Sequence, residues 1–183
     1  MAVTIRNAMI GDAHAIASVH VASWRTTYAG IVPDAFLASL NGDERAQNWK
    51  EQLAAQKAIF LVAEDGEGIF GFVCGGKLRE ELPGYDAELH AIYLLRERQQ
   101  QGTGLSLTHS LVDALLAEGF KSMAVWVLEA NPAVSFYKRL GAIQIAQKSI
   151  QIGGAQLQEI ALGWPELNLG FPHSTAKTAN TLP

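Results

Sequence analysis

Cysteine is almost absent from this chain, because Cys74 is the only one among 183 residues. A single cysteine can form neither an internal disulfide nor a cysteine-based metal cluster. Cys74 lies in a largely apolar run, residues 69–74, where we expect a buried structural thiol rather than a nucleophile.

Long hydrophobic runs are missing as well. No stretch of about 18 apolar residues occurs, so the sequence predicts no membrane span. The first six residues lack the apolar centre of a secretion signal. Together with the lone cysteine, these absences lead us to expect a cytoplasmic protein.

Positive charge is scarce, with 14 Lys and Arg residues against 18 Asp and Glu, and a net charge of −4. No stripe of basic residues occurs, which argues against a nucleic-acid partner. A mildly acidic protein is compatible with a cationic substrate such as an amine. No His, Asp and Glu residues have the spacing of metal ligands, so we expect no metal.

The chain is rich in apolar residues, at 49%, which is typical of a globular protein with a substantial core. The patterns predict one strand, three helices, three consecutive strands, a helix, a strand, a helix and two final strands. This order indicates a mixed α/β (α+β) fold, with a central twisted sheet of about six to seven strands and helices on both faces. We expect one domain over residues 1–167 and a flexible C-terminal tail over residues 168–183.

Several residues are predicted to begin or end the helices. Asp12 is expected to cap a helix over residues 13–28, and Asp43 to cap one over about residues 44–56. Pro33 is expected to open a short helix between these two. Gly119 is expected to end a helix that begins near residue 105.

The most informative segment is residues 99–104, Gln-Gln-Gln-Gly-Thr-Gly, which connects a predicted strand to a predicted helix. Glycines allow a tight turn, and the first N–H groups of the helix point at whatever binds there. Such a loop favours an anion such as a phosphate. The spacing fits neither the dinucleotide fingerprint nor the P-loop. The alternative is an ordinary helix start with glycines for turning.

The loop pattern Gln-x-x-Gly-x-Gly resembles the coenzyme A pyrophosphate loop of the GNAT N-acetyltransferase superfamily. Residues 88–95 resemble the family's fourth strand, and residues 131–141 resemble its Asn…Phe-Tyr-x-x-Leu-Gly helix. Residues 23–33 and 163–167 resemble segments of one broad subgroup of the family. The resemblance implies the GNAT fold and acetyl-CoA (coenzyme A) as co-substrate.

The resemblance also implies roles for individual residues. Main-chain groups of Ile92, Tyr93 and Leu94 are expected to bind the pantetheine arm where the fourth and fifth strands separate. The remaining residues expected to bind the cofactor are Gln99, Gln100, Gln101, Gly102, Thr103, Gly104, Leu105, Asn131 and Tyr137.

Tyr137 is the candidate general acid for the leaving sulfur, and the alternative is a half-buried aromatic residue whose hydroxyl reaches water. Glu88 is the candidate base, acting through water, with His90 as its rival and water alone as a third possibility. On a regular strand Glu88 and His90 would share one face with Ile92 and Leu94.

Trp24, Tyr28 and His90 are candidates for the acceptor pocket. The alternative for Trp24 is core packing, because the four-residue spacing of His20, Trp24 and Tyr28 is also that of a packed helix face.

The predicted function is N-acetyltransfer from acetyl-CoA directly to a primary amine of a small molecule or of a protein or peptide. One alternative is a non-catalytic acyl-CoA-binding or regulatory module on the same fold. Another is a different nucleotide-binding α/β protein. The sequence does not identify the amine acceptor, and edge strands of this fold make a homodimer an expectation.

Overall fold

The computed structural model describes residues 2–170, with side chains described for residues 2–168. Within this range, the strands are Thr4–Asn7 (β1), Ile59–Asp65 (β2), Gly68–Lys77 (β3), Ala87–Leu94 (β4), Met123–Leu128 (β5), Ile143–Ile152 (β6) and Ala155–Trp164 (β7). The helices are Ala13–Thr27 (α1), Asp34–Ser39 (α2), Gly42–Ala55 (α3), Thr103–Ala117 (α4), Ala133–Arg139 (α5) and Leu167–Gly170 (α6). The predicted mixed α/β fold is confirmed.

The strands form one sheet in the order β1-β2-β3-β4-β5-β7-β6. Neighbouring strands are antiparallel except β4 and β5, which are parallel. This parallel pair is short, because only Ala87 with Met123 and Glu88 with Ala124 are in register. Beyond these two pairs β4 and β5 separate, and the sheet opens at its centre.

A β-bulge interrupts β4. Cys74 of β3 lies opposite Ala91, but the next residue, Gly75, lies opposite Leu89. His90 is therefore an extra residue in β4, and strict alternation of side chains fails at that point.

The bulge corrects one sequence prediction. Leu89, Ile92 and Leu94 all belong to or pack against the core beneath α4. Because Glu88 directly precedes Leu89 on the strand, it points to the opposite face. The prediction that Glu88 shares a face with Ile92 and Leu94 is therefore wrong.

Helices cover both faces of the sheet, as expected. On one face α4 buries Leu107, Leu111 and Leu115 in the largest core cluster. On the other face α1 and α3 pack on the sheet through Ile16 and Trp49. The end of α1 and α2 continue this second layer over the far end of β5, which places them beside the gap between β4 and β5.

The structure revises how two helices begin. Asn41, not Asp43, caps α3, since its Oδ1 accepts hydrogen bonds from the N–H groups of Asp43 (2.9 Å) and Glu44 (3.3 Å). Asp12 does stand directly before α1, but its carboxylate accepts from Met9 N (2.7 Å) and from Arg6 instead. Gly119 follows α4 with φ of +91°, in agreement with its predicted role.

The ordered chain continues past the predicted end of the domain. Leu167, at the start of α6, is fully buried, and its N–H donates to Lys121 O at 2.9 Å. The first three residues of the predicted flexible tail, 168–170, are thus part of a helix. Positions 171–183 of that tail lie outside the described residues.

Candidate active site

The separation of β4 and β5 opens into a cleft of about 870 Å³. Most residues predicted from the sequence line this cleft. They are Tyr28, His90, Ile92, Tyr93, Leu94, Gln99, Gln100, Gly102, Gly104, Leu105, Asn131 and Tyr137. Four other predicted residues, Trp24, Glu88, Gln101 and Thr103, are not part of its lining.

The glycine loop turns into α4 through two residues in the left-handed region of backbone conformation. Gly102 has φ of +86° and Gln100 has φ of +60°. Gly104 sits tightly against the strand, because an added Cβ would lie 3.3 Å from Cδ1 of Leu94. The side chain of Gln99 holds the loop to the end of β4 by donating to Leu94 O at 3.0 Å.

The N-terminus of α4 leaves unpaired backbone donors at the cleft. The first backbone bond at this end of the helix runs from Ser106 N to Gly102 O at 3.0 Å, and no side chain caps the helix. The N–H groups of Thr103, Gly104 and Leu105 therefore have no partner within the helix. Together with the helix dipole, they make this end of the cleft suitable for a phosphate.

Three tyrosines surround the gap between the strands. Tyr93 accepts a hydrogen bond from Trp24 Nε1 (2.9 Å), and Tyr28 accepts one from Asn131 Nδ2 (3.1 Å). Burial raises the pKa of Tyr28, Tyr93 and Tyr137 above the ordinary tyrosine value, so all three hydroxyls stay protonated. Within residues 2–168 no side chain or backbone group bonds to the Tyr137 hydroxyl, which is therefore available to a reactant.

Trp24 and Asn131 hold the cleft tyrosines in place. Trp24 packs on Tyr28 with ring centroids 4.6 Å apart, in addition to its bond to Tyr93. Asn131 uses its amide nitrogen on Tyr28, and its Oδ1 accepts from Ala133 N (2.9 Å) at the start of α5. Both side chains position the tyrosines through these bonds.

Glu88 is fully engaged outside the cleft. Its side chain is 1% exposed, and its carboxylate accepts bonds from Arg79 N (2.9 Å), from Nε (2.9 Å) and from Nη2. Because both oxygens are occupied and the residue faces away from Ile92 and Leu94, its placement disfavours the predicted role as base.

His90 is placed better than Glu88 to accept a proton. Its Nε2 lies 2.9 Å from Lys77 O, and because a carbonyl oxygen only accepts, Nε2 must carry the hydrogen. Nδ1 is then the unprotonated nitrogen. Burial is the main cause that lowers the pKa of His90, which keeps the ring neutral near pH 7.

Several cleft residues were missed by sequence reasoning. They are Ser23, Thr26, Thr27, Trp126, Phe136 and Arg139. Trp126 could have been predicted as a cleft residue, because it lies on the strand that directly follows the glycine loop and its helix. Ser23, Thr26 and Thr27 of α1 could not have been predicted in this way, because helical spacing alone does not show which face of a helix meets a cleft.

Within residues 2–168 no group of three or more His, Cys, Asp and Glu side chains is arranged to hold a metal ion. None of the helices in residues 2–170 is long and apolar enough to cross a membrane. Burial raises the pKa of Cys74 to about 12, which suits the structural role predicted for this thiol.

Comparison with known proteins identifies what the chain resembles. Residues 21–142 match the model of the acetyltransferase (GNAT) family. The chain is 45% identical over 166 residues to the uncharacterized N-acetyltransferase YuaI of Bacillus subtilis (strain 168), covering 91% of this chain and 95% of that relative.

Solved structures show the same fold at lower identity. YncA, a putative acetyltransferase from Salmonella typhimurium with its cofactor acetyl-CoA, matches with a TM-score of 0.68 and 20% identity, over 97% of this chain and 99% of that one. The PaiA N-acetyltransferase from Thermoplasma acidophilum, in complex with coenzyme A, matches with a TM-score of 0.65 and 22% identity, over 87% and 98%.

Proposed function

Because the chain belongs to the GNAT family and is an acetyl-CoA-dependent N-acetyltransferase, we propose that it acetylates a primary amine of a small molecule or of a protein or peptide. The observation that carries this proposal is the cleft between β4 and β5, which joins the free end of α4 to the Tyr137 hydroxyl. Membership of the GNAT family excludes the alternative that the chain is a different nucleotide-binding α/β protein.

The donor would lie along the gap between the strands. Its pyrophosphate would accept hydrogen bonds from the unpaired N–H groups of Thr103, Gly104 and Leu105. Its pantetheine arm would pair with the backbone of Ile92, Tyr93 and Leu94, on the edge of β4 that β5 leaves free. Main-chain recognition of this kind needs no particular side chains, so neither Gln101 nor Thr103 has to face the cleft.

The reacting amine must first lose a proton, since a lysine-like amine titrates near pH 10.4. His90 Nδ1 is our proposed acceptor of that proton, directly or through one water molecule. A neutral His90 is required for this step, and its lowered pKa supplies that state at neutral pH.

Tyr137 acts on the leaving sulfur in this proposal. Burial holds its hydroxyl in the protonated form, so the O–H can donate a hydrogen bond to the charge that develops on sulfur and then supply a proton. General acid catalysis of this kind contributes about 10²- to 10⁴-fold to a rate. Tyr28 and Tyr93 also line the cleft.

The test follows release of free coenzyme A from acetyl-CoA across a panel of small amines and peptides, with product masses recorded. Tyr137→Phe should lower kcat about 10²-fold or more and leave the Kd for coenzyme A unchanged. Tyr85→Phe is the matched control, since Tyr85 lies outside the cleft lining. Binding of acetyl-CoA without transfer to any amine would favour the alternative, a non-catalytic acyl-CoA-binding or regulatory module.

Two further expectations stay predictions. These are the cytoplasmic location and the possible homodimer, which fractionation and light scattering would test directly.

A further inference from the structure

An ion cluster of three side chains stands next to the glycine loop, residues 99–104. Arg98 directly precedes the loop, and its side chain is not part of the cleft lining. Its Nη1 donates to Asp65 Oδ2 at 2.6 Å, and its Nη2 donates to Glu67 Oε2 at 2.5 Å. Asp65 ends β2, and Glu67 lies in the turn between β2 and β3. The guanidinium therefore connects the start of the glycine loop to a turn that lies more than 30 positions earlier in the chain.

The sheet holds Arg98 in this position. Its Cζ lies 5.0 Å from the ring centroid of Phe70, a residue of the core beneath α4. The main chain is joined at the same place, since Leu95 N donates to Phe70 O at 2.9 Å. Asp65 is a fixed partner, because its side chain is 2% exposed and its Oδ1 accepts from Glu67 N at 2.8 Å. The pair with Asp65 is therefore the main anchor, whereas Glu67 is mostly exposed and contributes little.

The loop that follows Arg98 adopts a conformation that needs support. Gln100 and Gly102 both have positive φ, and for Gln100 this conformation is unfavourable because the residue has a Cβ. The side chains of Gln99 and Gln101 bond to main-chain oxygens five and four positions earlier, so they tie the loop to its own preceding segment. Arg98 adds an anchor to a distant part of the sheet.

Charge alone does not explain the placement of Arg98 beside a phosphate site. Two carboxylates contact its one guanidinium, so the cluster carries one more negative than positive charge. Such a cluster does not attract a pyrophosphate. The contribution of Arg98 must therefore be geometric, through the backbone whose N–H groups face the cleft.

We propose that Arg98 is a positioning residue for the acetyl donor, and that its ion pair with Asp65 holds the glycine loop in the conformation that binds the pyrophosphate of coenzyme A. The inference rests on the proposed function and adds to it a residue that contacts no reactant. When the loop is held before the donor arrives, binding does not have to order it. Loss of the ion pair should therefore weaken donor binding and leave the chemical step intact.

The experiment measures the Kd of coenzyme A and that of pantetheine, which lacks the pyrophosphate, by calorimetric titration. Arg98→Ala should raise the Kd of coenzyme A about tenfold and leave that of pantetheine unchanged. Arg98→Lys keeps one charge without the fork of donors, so its loss of affinity should be smaller. With an amine acceptor present, Arg98→Ala should raise KM for acetyl-CoA and leave kcat at saturation unchanged.

Arg6→Ala is the matched control. Arg6 also donates to two carboxylates, Asp12 at 2.7 Å and Glu64 at 2.8 Å, and its side chain is 28% exposed against 25% for Arg98. It lies on β1, outside the cleft lining. Arg6→Ala should lower the melting temperature about as much as Arg98→Ala does and leave the Kd of coenzyme A unchanged. An equal rise of that Kd in both variants would overturn the inference, because it would show a general loss of stability.

Asp65→Asn distinguishes positioning from direct contact with phosphate. If Arg98 positions the loop, loss of its partner should weaken coenzyme A binding, and the double variant should bind no more weakly than Arg98→Ala alone. If Arg98 bound phosphate itself, Asp65→Asn would free its charge and strengthen binding, and this result would overturn the inference. Failure of the proposed function looks different, because the wild-type protein would then bind coenzyme A no more tightly than pantetheine.

Discussion

The side-chain amide of Asn131 donates a 3.1 Å hydrogen bond to the hydroxyl of Tyr28, which lies 103 positions earlier in the chain. The bond ties the segment after β5 to the end of α1, and both residues line the cleft. Asn131 also accepts from Ala133 N at the start of α5, the helix that carries Tyr137. The buried amide of Asn131 therefore contacts both Tyr28 and the start of the helix that carries Tyr137, and it holds these two cleft tyrosines in a fixed relative position.

Loss of this amide should weaken both the fold and the reaction. Asn131→Ala removes a buried bond to Tyr28 and the bond to Ala133, so we expect about 1–3 kcal/mol less free energy of unfolding. Urea denaturation measures this loss. Asn131→Asp keeps the acceptor for Ala133 and loses only the donor to Tyr28, so its kcat should fall with a smaller loss of stability. Equal stability of the wild-type protein and Asn131→Ala would contradict the proposed linkage.

His90 predicts a specific pH dependence of catalysis. His90 must be neutral to accept a proton, and its pKa is lowered from the ordinary value of 6.5. At pH 7 the imidazole is therefore neutral, and kcat should not depend on its titration. As the pH drops through a value below 6.5, His90 becomes protonated and kcat should fall. His90→Gln should lower kcat about 10²-fold or more and abolish this acid limb.

Glu88→Gln is the matched control for the base, because Glu88 lies outside the cleft lining. The acid limb should persist in this variant. An acid limb that disappears in Glu88→Gln and survives in His90→Gln would restore Glu88 as the base.

The ion pair between Arg79 and Glu88 predicts an asymmetry between its two partners. Arg79 has a 57% exposed side chain that can turn to water, whereas Glu88 is 1% exposed and cannot. Arg79→Ala should therefore cost about 3–5 kcal/mol, because it leaves a buried carboxylate without its cation. Glu88→Gln should cost less, about 1–3 kcal/mol. Urea denaturation would show the reverse order if Glu88 were readily hydrated.

A comparison of two glycines with similar backbone conformation can distinguish the effect of backbone strain from an effect on cofactor binding. Gly102 and Gly119 have φ of +86° and +91°, and a Cβ at either position would meet nothing within 4 Å. Alanine should therefore destabilise the protein by about 1–2 kcal/mol at each position. Only Gly102→Ala should also weaken coenzyme A binding, by about tenfold, because it disturbs the N–H groups at the start of α4. Calorimetric titration would detect a similar loss for Gly119→Ala if the effect were global.

Features encoded by neighbouring residues were predicted well. The element order and the end of α4 at Gly119 follow from hydrophobic periodicity and glycine placement, which act within a few residues. The predicted N-cap of α3, Asp43, was wrong by two residues. Asn and Asp are both good capping residues, so the local sequence does not distinguish Asn41 from Asp43.

Most cleft residues predicted from the sequence came from the family resemblance, which covers β4, the glycine loop and the helix that carries Tyr137. The orientation of Glu88 was wrong because a bulge at His90 depends on pairing with β3, which a single strand does not reveal.

The sequence by itself determined the fold class, the loop that begins α4 and the family, since each depends on local patterns that survive without knowledge of contacts. The tertiary structure decided which side chains face the cleft and which charges are buried and paired. Glu159, Lys148 and Trp126 come together only when β5, β6 and β7 pair, and Arg79 neutralises Glu88 only when the chain after β3 folds back on β4. Charge and burial depend on these distant neighbours, which the sequence alone does not bring together.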